Sequence, residues 1–148
     1  MIRRFKPLQD KLYWWITVPT ALLMAAVSVV AFFAPAALWV MIPTDALIFY
    51  FLISPLFGYV ELREESLFIK FGFIMKREIA YSKIRGATWE RKFYADSMMA
   101  LKNSLEHVNV RYNSFDIVSL SVVRNDEFVA ELVERAKIND IKDNRNAR

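Results

Sequence analysis

From Leu12 to Val60 the chain is almost continuously apolar, with Asp45 its one formal charge, and from Gly58 onward apolar and polar residues alternate in short stretches. The first pattern predicts membrane-length helices and the second predicts strands. Leu12 to Phe33 holds 22 uncharged residues, and a helix rising ~1.5 Å per residue would carry them across a ~30 Å hydrocarbon core. The run is longer than the roughly 7 to 15 residues of a signal-peptide core and a second apolar run follows, which argues against a cleaved leader. That second run is interrupted by Pro43, Thr44 and Asp45. A carboxylate at bilayer mid-depth is costly, so the pattern places Asp45 at the far interface, with Thr44 or Asp45 capping a helix over about 46–60 after a connection over 34–45. The alternative, an intramembrane acid in a proton relay, lacks a second ionisable group in the hairpin.

Beyond the hairpin, 60–63 alternates apolar and charged residues, 64–66 is turn-like, and Leu67 to Phe71 reads as a second strand. Gly72 supplies a tight turn before Phe73 to Ile79. Further strands are predicted within Ile84 to Arg91, over Glu106 to Tyr112 and over Ile117 to Val122, with a turn at 113–116. In Glu106 to Tyr112 the alternation puts Val108, Val110 and Tyr112 on one face, and His107, Asn109 and Arg111 on the other, solvent-facing one. The period then becomes helical. Asn125 is the expected N-cap, Asp126 and Glu127 occupy the first turn, and Phe128, Val129, Leu132, Val133 and Ala136 form one apolar stripe. The polar tail 139–148 has no periodicity and is expected to fray. The domain boundaries read as a basic arm over 1–11, a helical hairpin over 12–60, a folded domain over 59–138 and the tail.

Charge orients the hairpin. Arg3, Arg4, Lys6 and Lys11 precede it, Arg63, Lys70, Lys76 and Arg77 follow it, and its connection carries no Lys or Arg, so the positive-inside rule puts both termini in the cytoplasm. Tyr13, Trp14, Trp15, Trp39 and Tyr59 fall where aromatic rings would sit at the headgroup layer. The whole chain has 20 Lys and Arg against 16 Asp and Glu, but after residue 60 the count is 16 against 14, too even for a nucleic-acid-binding surface. With no Cys there is no disulfide or thiolate site, and a single His, His107, argues against a His-based metal cluster or a catalytic triad.

Several segments carry a family resemblance. Tyr81-Ser82-Lys83-Ile84 matches a Tyr-x-x-Ile pattern. Ser104-Leu105-Glu106-His107-Val108-Asn109-Val110-Arg111-Tyr112 follows a Ser-Leu-Asp-Arg-Leu-x-Ile-x-Tyr strand. Leu120 to Val129 follows the approach to a last helix, with Val122 where Pro is usual, which extends the preceding strand. With the two preceding apolar runs, the chain resembles the small bacterial pleckstrin-homology (PH) domain membrane proteins. The resemblance implies an α+β fold: a two-helix transmembrane hairpin followed by a PH-like antiparallel barrel or sandwich capped by a C-terminal helix. It implies a location in the bacterial inner membrane and a non-enzymatic interaction or scaffolding role, with self-protection against membrane-active bacteriocins one role of similar proteins. The partners it implies are the bilayer and other membrane proteins or a membrane-active peptide. The rival readings are a transporter subunit using Asp45, an enzyme subunit using Glu106, His107 and Arg111, and an anionic-lipid headgroup domain.

No residue is expected to be catalytic, to ligate a metal or to hold a cofactor. Arg77, Lys83, Arg85, Arg91 and Lys92 are the candidates for lipid or anion contact, since each basic group near an anionic bilayer adds about 1 kcal/mol. Interleaved with Glu78 and Glu90, they also read as an ordinary solvated face. Phe93, Tyr94, Met98 and Met99, in a segment richer in apolar residues than a solvated loop needs, are the candidate partner surface or a cover for the barrel mouth.

Overall fold

In the computed structural model, which describes residues 2–31, 33–97 and 100–145, the basic arm is a strand. β1 (Arg3–Phe5) pairs antiparallel with β2 (Tyr59–Leu62), on the far side of the hairpin in sequence, with Arg3 opposite Leu62 and Phe5 opposite Val60. Its basic residues are engaged. Arg3 bonds Glu127 at 2.6 Å and Glu131 at 2.8 Å, and Arg4 bonds the buried Glu61 at 2.6 Å. The arm then crosses to the other half of the domain, through isolated bridges Pro7 to Val122 and Gln9 to Asn103.

Two helices follow, α1 (Lys11–Ala31) and α2 (Pro35–Ile53), and a 3-10 turn, Ser54–Phe57, leads into β2. The second helix therefore begins eleven residues before the expected 46. Pro35 at its first turn loses no hydrogen bond there and presets the helical φ. Thr44 and Asp45 cap nothing: Thr44 Oγ1 donates back to the Val40 carbonyl at 2.7 Å within the helix. Asp45 lies ten residues, about 15 Å, inside α2.

The first sheet continues with β3 (Ser66–Phe71) and β4 (Met75–Ala80), in the order β1-β2-β3-β4. A 3-10 turn, Tyr81–Lys83, leads to β5 (Ile84–Arg91), followed by β6 (Ala100–Leu101), β7 (Glu106–Tyr112) and β8 (Asp116–Leu120). After α3 (Asn125–Ala136), the tail forms β9 (Ile141–Asp143), and the second sheet runs β6-β8-β7-β5-β9. The two sheets are not closed into a barrel, which corrects the barrel expectation: the chain turns from β4 into β5 without pairing the two strands. The tail, expected to fray, instead forms β9, because β5 would otherwise be a bare sheet edge, and β9 pairs parallel with it at 87–89.

The core lies between the sheets and α3. Val60, Leu62, Leu67, Ile69, Val108, Val110, Val118, Leu120, Phe128 and Leu132 are fully buried, each removing roughly 1.5–3 kcal/mol of apolar exposure. The apolar stripe of α3 faces this core as predicted, but its start differs. Arg124 is the N-cap position, in left-handed backbone at φ 65°, and Asn125 is already helical, its Oδ1 accepting the Val122 N–H at 2.9 Å. That bond and the bridge to Pro7 end β8 at Leu120, so Val122 does not extend it.

Candidate functional site

The hairpin joins the domain at one edge. Its first strand-to-helix junction is at Asp10 and Lys11 and its return is at Phe57 and Gly58, with Asp10 N–H donating to Asn103 O at 3.1 Å. The β3–β4 turn lies at the same edge. Gly72 has φ +66°, and a Cβ there would collide with Ser54 Oγ at the foot of α2, so the turn needs glycine both for its backbone and for this close approach. The turn lays Phe73 against Phe57, ring centroids 4.5 Å apart, and near Tyr50 at 6.1 Å. Ile74 and Met75 are left exposed beside them. Lys70 and Lys76 stand directly opposite each other across the turn, a like-charge pair that an anionic surface would relieve. Phe93 completes the edge, over a crevice of about 200 Å³ that Leu12, Ile16, Phe51 and Lys102 also line.

The five basic candidates do not gather in one place. Lys83 and Arg85 are exposed at the end of β5 far from the hairpin, and Arg91 and Lys92 lie at the near end, about 20 Å along the strand. Arg77, on β4, holds its guanidinium 5.4 Å from the Tyr112 ring centroid. Arg85 lines a hollow of about 420 Å³ with Asp116, Asp140 and Arg111, and Arg111 is paired with Asp140. Two acids in that hollow offset its two guanidinium groups.

Phe93 and Tyr94 are exposed, Phe93 toward the hairpin; Met98 and Met99 lie outside the described residues. Trp14 and Trp15 are exposed near the domain end of α1, and Trp39 is exposed near the opposite end of the hairpin. Tyr13 donates its hydroxyl to the Leu52 carbonyl between the helices. Tyr59 is not at the end of a helix but in β2, its ring 6.1 Å from Phe68 and beneath the Arg4 guanidinium at 4.2 Å.

Between the helices, Ser28 Oγ donates to Asp45 Oδ2 at 2.6 Å. Asp45 thus faces α1, midway along the apolar stretch Ala36–Phe57, with a hydroxyl partner that sequence spacing alone did not pair with it.

A further correction concerns His107, expected on a solvent-facing strand face. It is fully buried, because residues 92–97 fold back over the outer face of β5 and β7. That face carries a polar row. Glu90 sits opposite His107 and Thr88 opposite Asn109, and Ser119 Oγ donates to Asn109 Oδ1 at 2.6 Å. Asn109 Nδ2 donates to Glu90 Oε2 at 3.1 Å and to Asp96 Oδ2 at 2.8 Å. Lys92 Nζ bonds Glu90 at 2.9 Å, which holds its pKa above the ordinary lysine range. Burial pushes the His107 pKa down. Burial also lowers Lys102, whose ammonium is spent on the Lys92 and Tyr94 carbonyls. Glu106, His107 and Arg111 do not converge: His107 turns to Glu90 and Arg111 to Asp140.

No curated protein matches the chain. A chain of the solved Spt16D Pob3N heterodimer is similar at 16% identity and a TM-score of 0.42, covering 61% of this chain and 48% of its own, so this chain spans about half of that one. The family model for the bacterial PH domain matches residues 58–136, more than half of the sequence and the stretch from β2 to the end of α3. Preceded by two helices long and apolar enough to cross a membrane, the chain belongs to the bacterial PH domain family.

Proposed function

We propose that the chain is a non-catalytic, membrane-tethered PH-like module, held by its helical hairpin on the cytoplasmic face of the bacterial inner membrane. A PH-like domain is an interaction module for protein or lipid. The observation that carries the tethered reading is the coincidence of features at one edge. Both ends of the hairpin meet the domain where Phe57, Phe73, Ile74 and Phe93 are exposed and where Lys11, Lys70, Lys76 and Arg91 stand. Two 20- and 22-residue apolar segments, unburied along their length, have no other solvent suited to them. Anionic headgroups would contact this lysine-flanked edge, not the acid-balanced hollow at Arg85. No described groove selects a peptide, and protection against bacteriocins gains no support from the geometry.

The absence of native cysteine makes the test direct. Single-cysteine variants Arg85→Cys and Ala34→Cys are labelled in intact cells with an impermeant maleimide. Position 34 is expected to react from outside, and position 85 only after permeabilisation, in protein that resists carbonate extraction. A soluble protein, or labelling of position 85 in intact cells, overturns the proposal.

The Ser28–Asp45 bond favours a second reading, in which the hairpin serves as a subunit of a transporter with an acid at mid-depth. An Asp45→Asn change that leaves ion flux in reconstituted vesicles untouched removes it.

A further inference from the structure

In the buried polar row on β5 and β7, one ring nitrogen of His107 is left unexplained by its neighbours. His107 Nδ1 lies 3.0 Å from the Leu105 carbonyl, which only accepts, so Nδ1 carries the proton and Nε2 presents a lone pair. Nε2 is buried without a hydrogen-bond partner, and its ring is fully enclosed. It points at Glu90, 4.0 Å from Oε2, and one ligand atom each from His107, Glu90 and Asp96 fall within 4.8 Å of one another. Two metal–ligand bonds of ~2.1 Å reach up to ~4.2 Å between donors, so small carboxylate rotations would seat one ion on all three.

We propose that His107 Nε2 and the carboxylates of Glu90 and Asp96 form a binding site for a divalent transition-metal ion of the zinc or manganese class. The mixed nitrogen and oxygen donors favour these over calcium or magnesium, which take oxygen alone. Water completes the coordination through the partly exposed side where Asp96 sits. The supporting groups are those a metal site requires. The Leu105 carbonyl fixes the imidazole tautomer, and Asn109, itself anchored by Ser119, draws both carboxylates together with one amide nitrogen. The Lys92 ammonium occupies the carboxylates without metal, at 2.9 Å from Glu90 and 3.5 Å from Asp96, and acts as the competing cation. An ammonium explains the two carboxylates but leaves the inward histidine nitrogen idle. Lys102, the other nearby cation, is held away by backbone carbonyls.

The test uses the full chain in detergent micelles, carrying no histidine tag. Zn²⁺ is titrated by calorimetry while the histidine nitrogen resonances are followed by ¹⁵N NMR; the chain has one histidine, so the signal needs no assignment. Saturable 1:1 binding with a shift of the Nε2 resonance is expected. Asp96→Asn, a change at a partly exposed side chain that leaves the core intact, abolishes saturable binding. Asn109→Ala weakens it about tenfold or more, and Lys92→Met tightens it about tenfold. No saturable binding, an unmoved Nε2 resonance, or equal affinity in folded Asp96→Asn protein overturns the site.

Discussion

The Phe5 ring meets the Phe128 ring edge-on, centroids 5.4 Å apart and planes at 74°, so a residue before the hairpin and one in the last helix share a single core. The hairpin is thereby held at both ends. Its first end is tied to the domain by β1 and its second by β2, and these two strands pair with each other. Any force on either helix is passed into the same sheet, which makes the hairpin and the domain one mechanical unit.

Removing this contact is expected to cost as much as a core truncation. Phe5→Ala should lower the unfolding free energy by about 3–5 kcal/mol, and Phe5→Leu by distinctly less. Denaturant unfolding of the full chain in detergent measures both. A fragment limited to 58–136 is expected to lose cooperativity, since it lacks Phe5 and leaves β2 as an unpaired edge.

Within the hairpin, Ser28→Ala should weaken helix pairing by about 1 kcal/mol, the size of an interhelical hydrogen bond in lipid. Asp45→Asn retains an acceptor for Ser28 and should be nearly neutral. Thermal unfolding of the two variants in nanodiscs distinguishes them, and equal stability of Ser28→Ala and wild type would show that the bond contributes nothing.

Gly72→Ala is expected to lift the β3–β4 turn from the foot of α2. The left-handed backbone costs about 1–2 kcal/mol for a residue bearing Cβ, and the collision with Ser54 adds to it. Adding Ser54→Gly should recover the steric part and not the backbone part, a separation that a double-mutant cycle reads directly.

The Ser66 hydroxyl donates to Glu78 Oε1 at 2.6 Å and Arg63 adds its charge, which together hold the Glu78 carboxyl below the ordinary glutamate range. A carboxyl lowered in the folded state stabilises above its unfolded value, and that contribution is lost as pH falls through the folded one. An NMR titration should therefore place the Glu78 midpoint on the acid side of ordinary glutamate, and Ser66→Ala should move it back up. An unmoved midpoint in Ser66→Ala would rule the hydroxyl out as the cause.

What the amino-acid order determined by itself is whatever depends on near neighbours. The apolar length of the hairpin, the limits of β5 and β7, the turn at Gly72 and the core stripe of α3 are all set by residues within a few positions of one another, where helical and strand periods act. Tertiary structure decided what depends on distant segments meeting. A three-residue strand at Arg3 has no readable period and exists only because β2 offers it an edge. The tail becomes β9 for the same reason at β5. Pro43 and Asp45 read as a helix break, yet α2 runs through both and α1 sets Ser28 against Asp45. His107 alternates like a surface residue, yet residues 92–97 cover its face, and only that cover brings Asp96 to the strand pair of Glu90 and His107. With one histidine the chain cannot build a His-based metal cluster, and only the fold sets Glu90 and Asp96 beside His107.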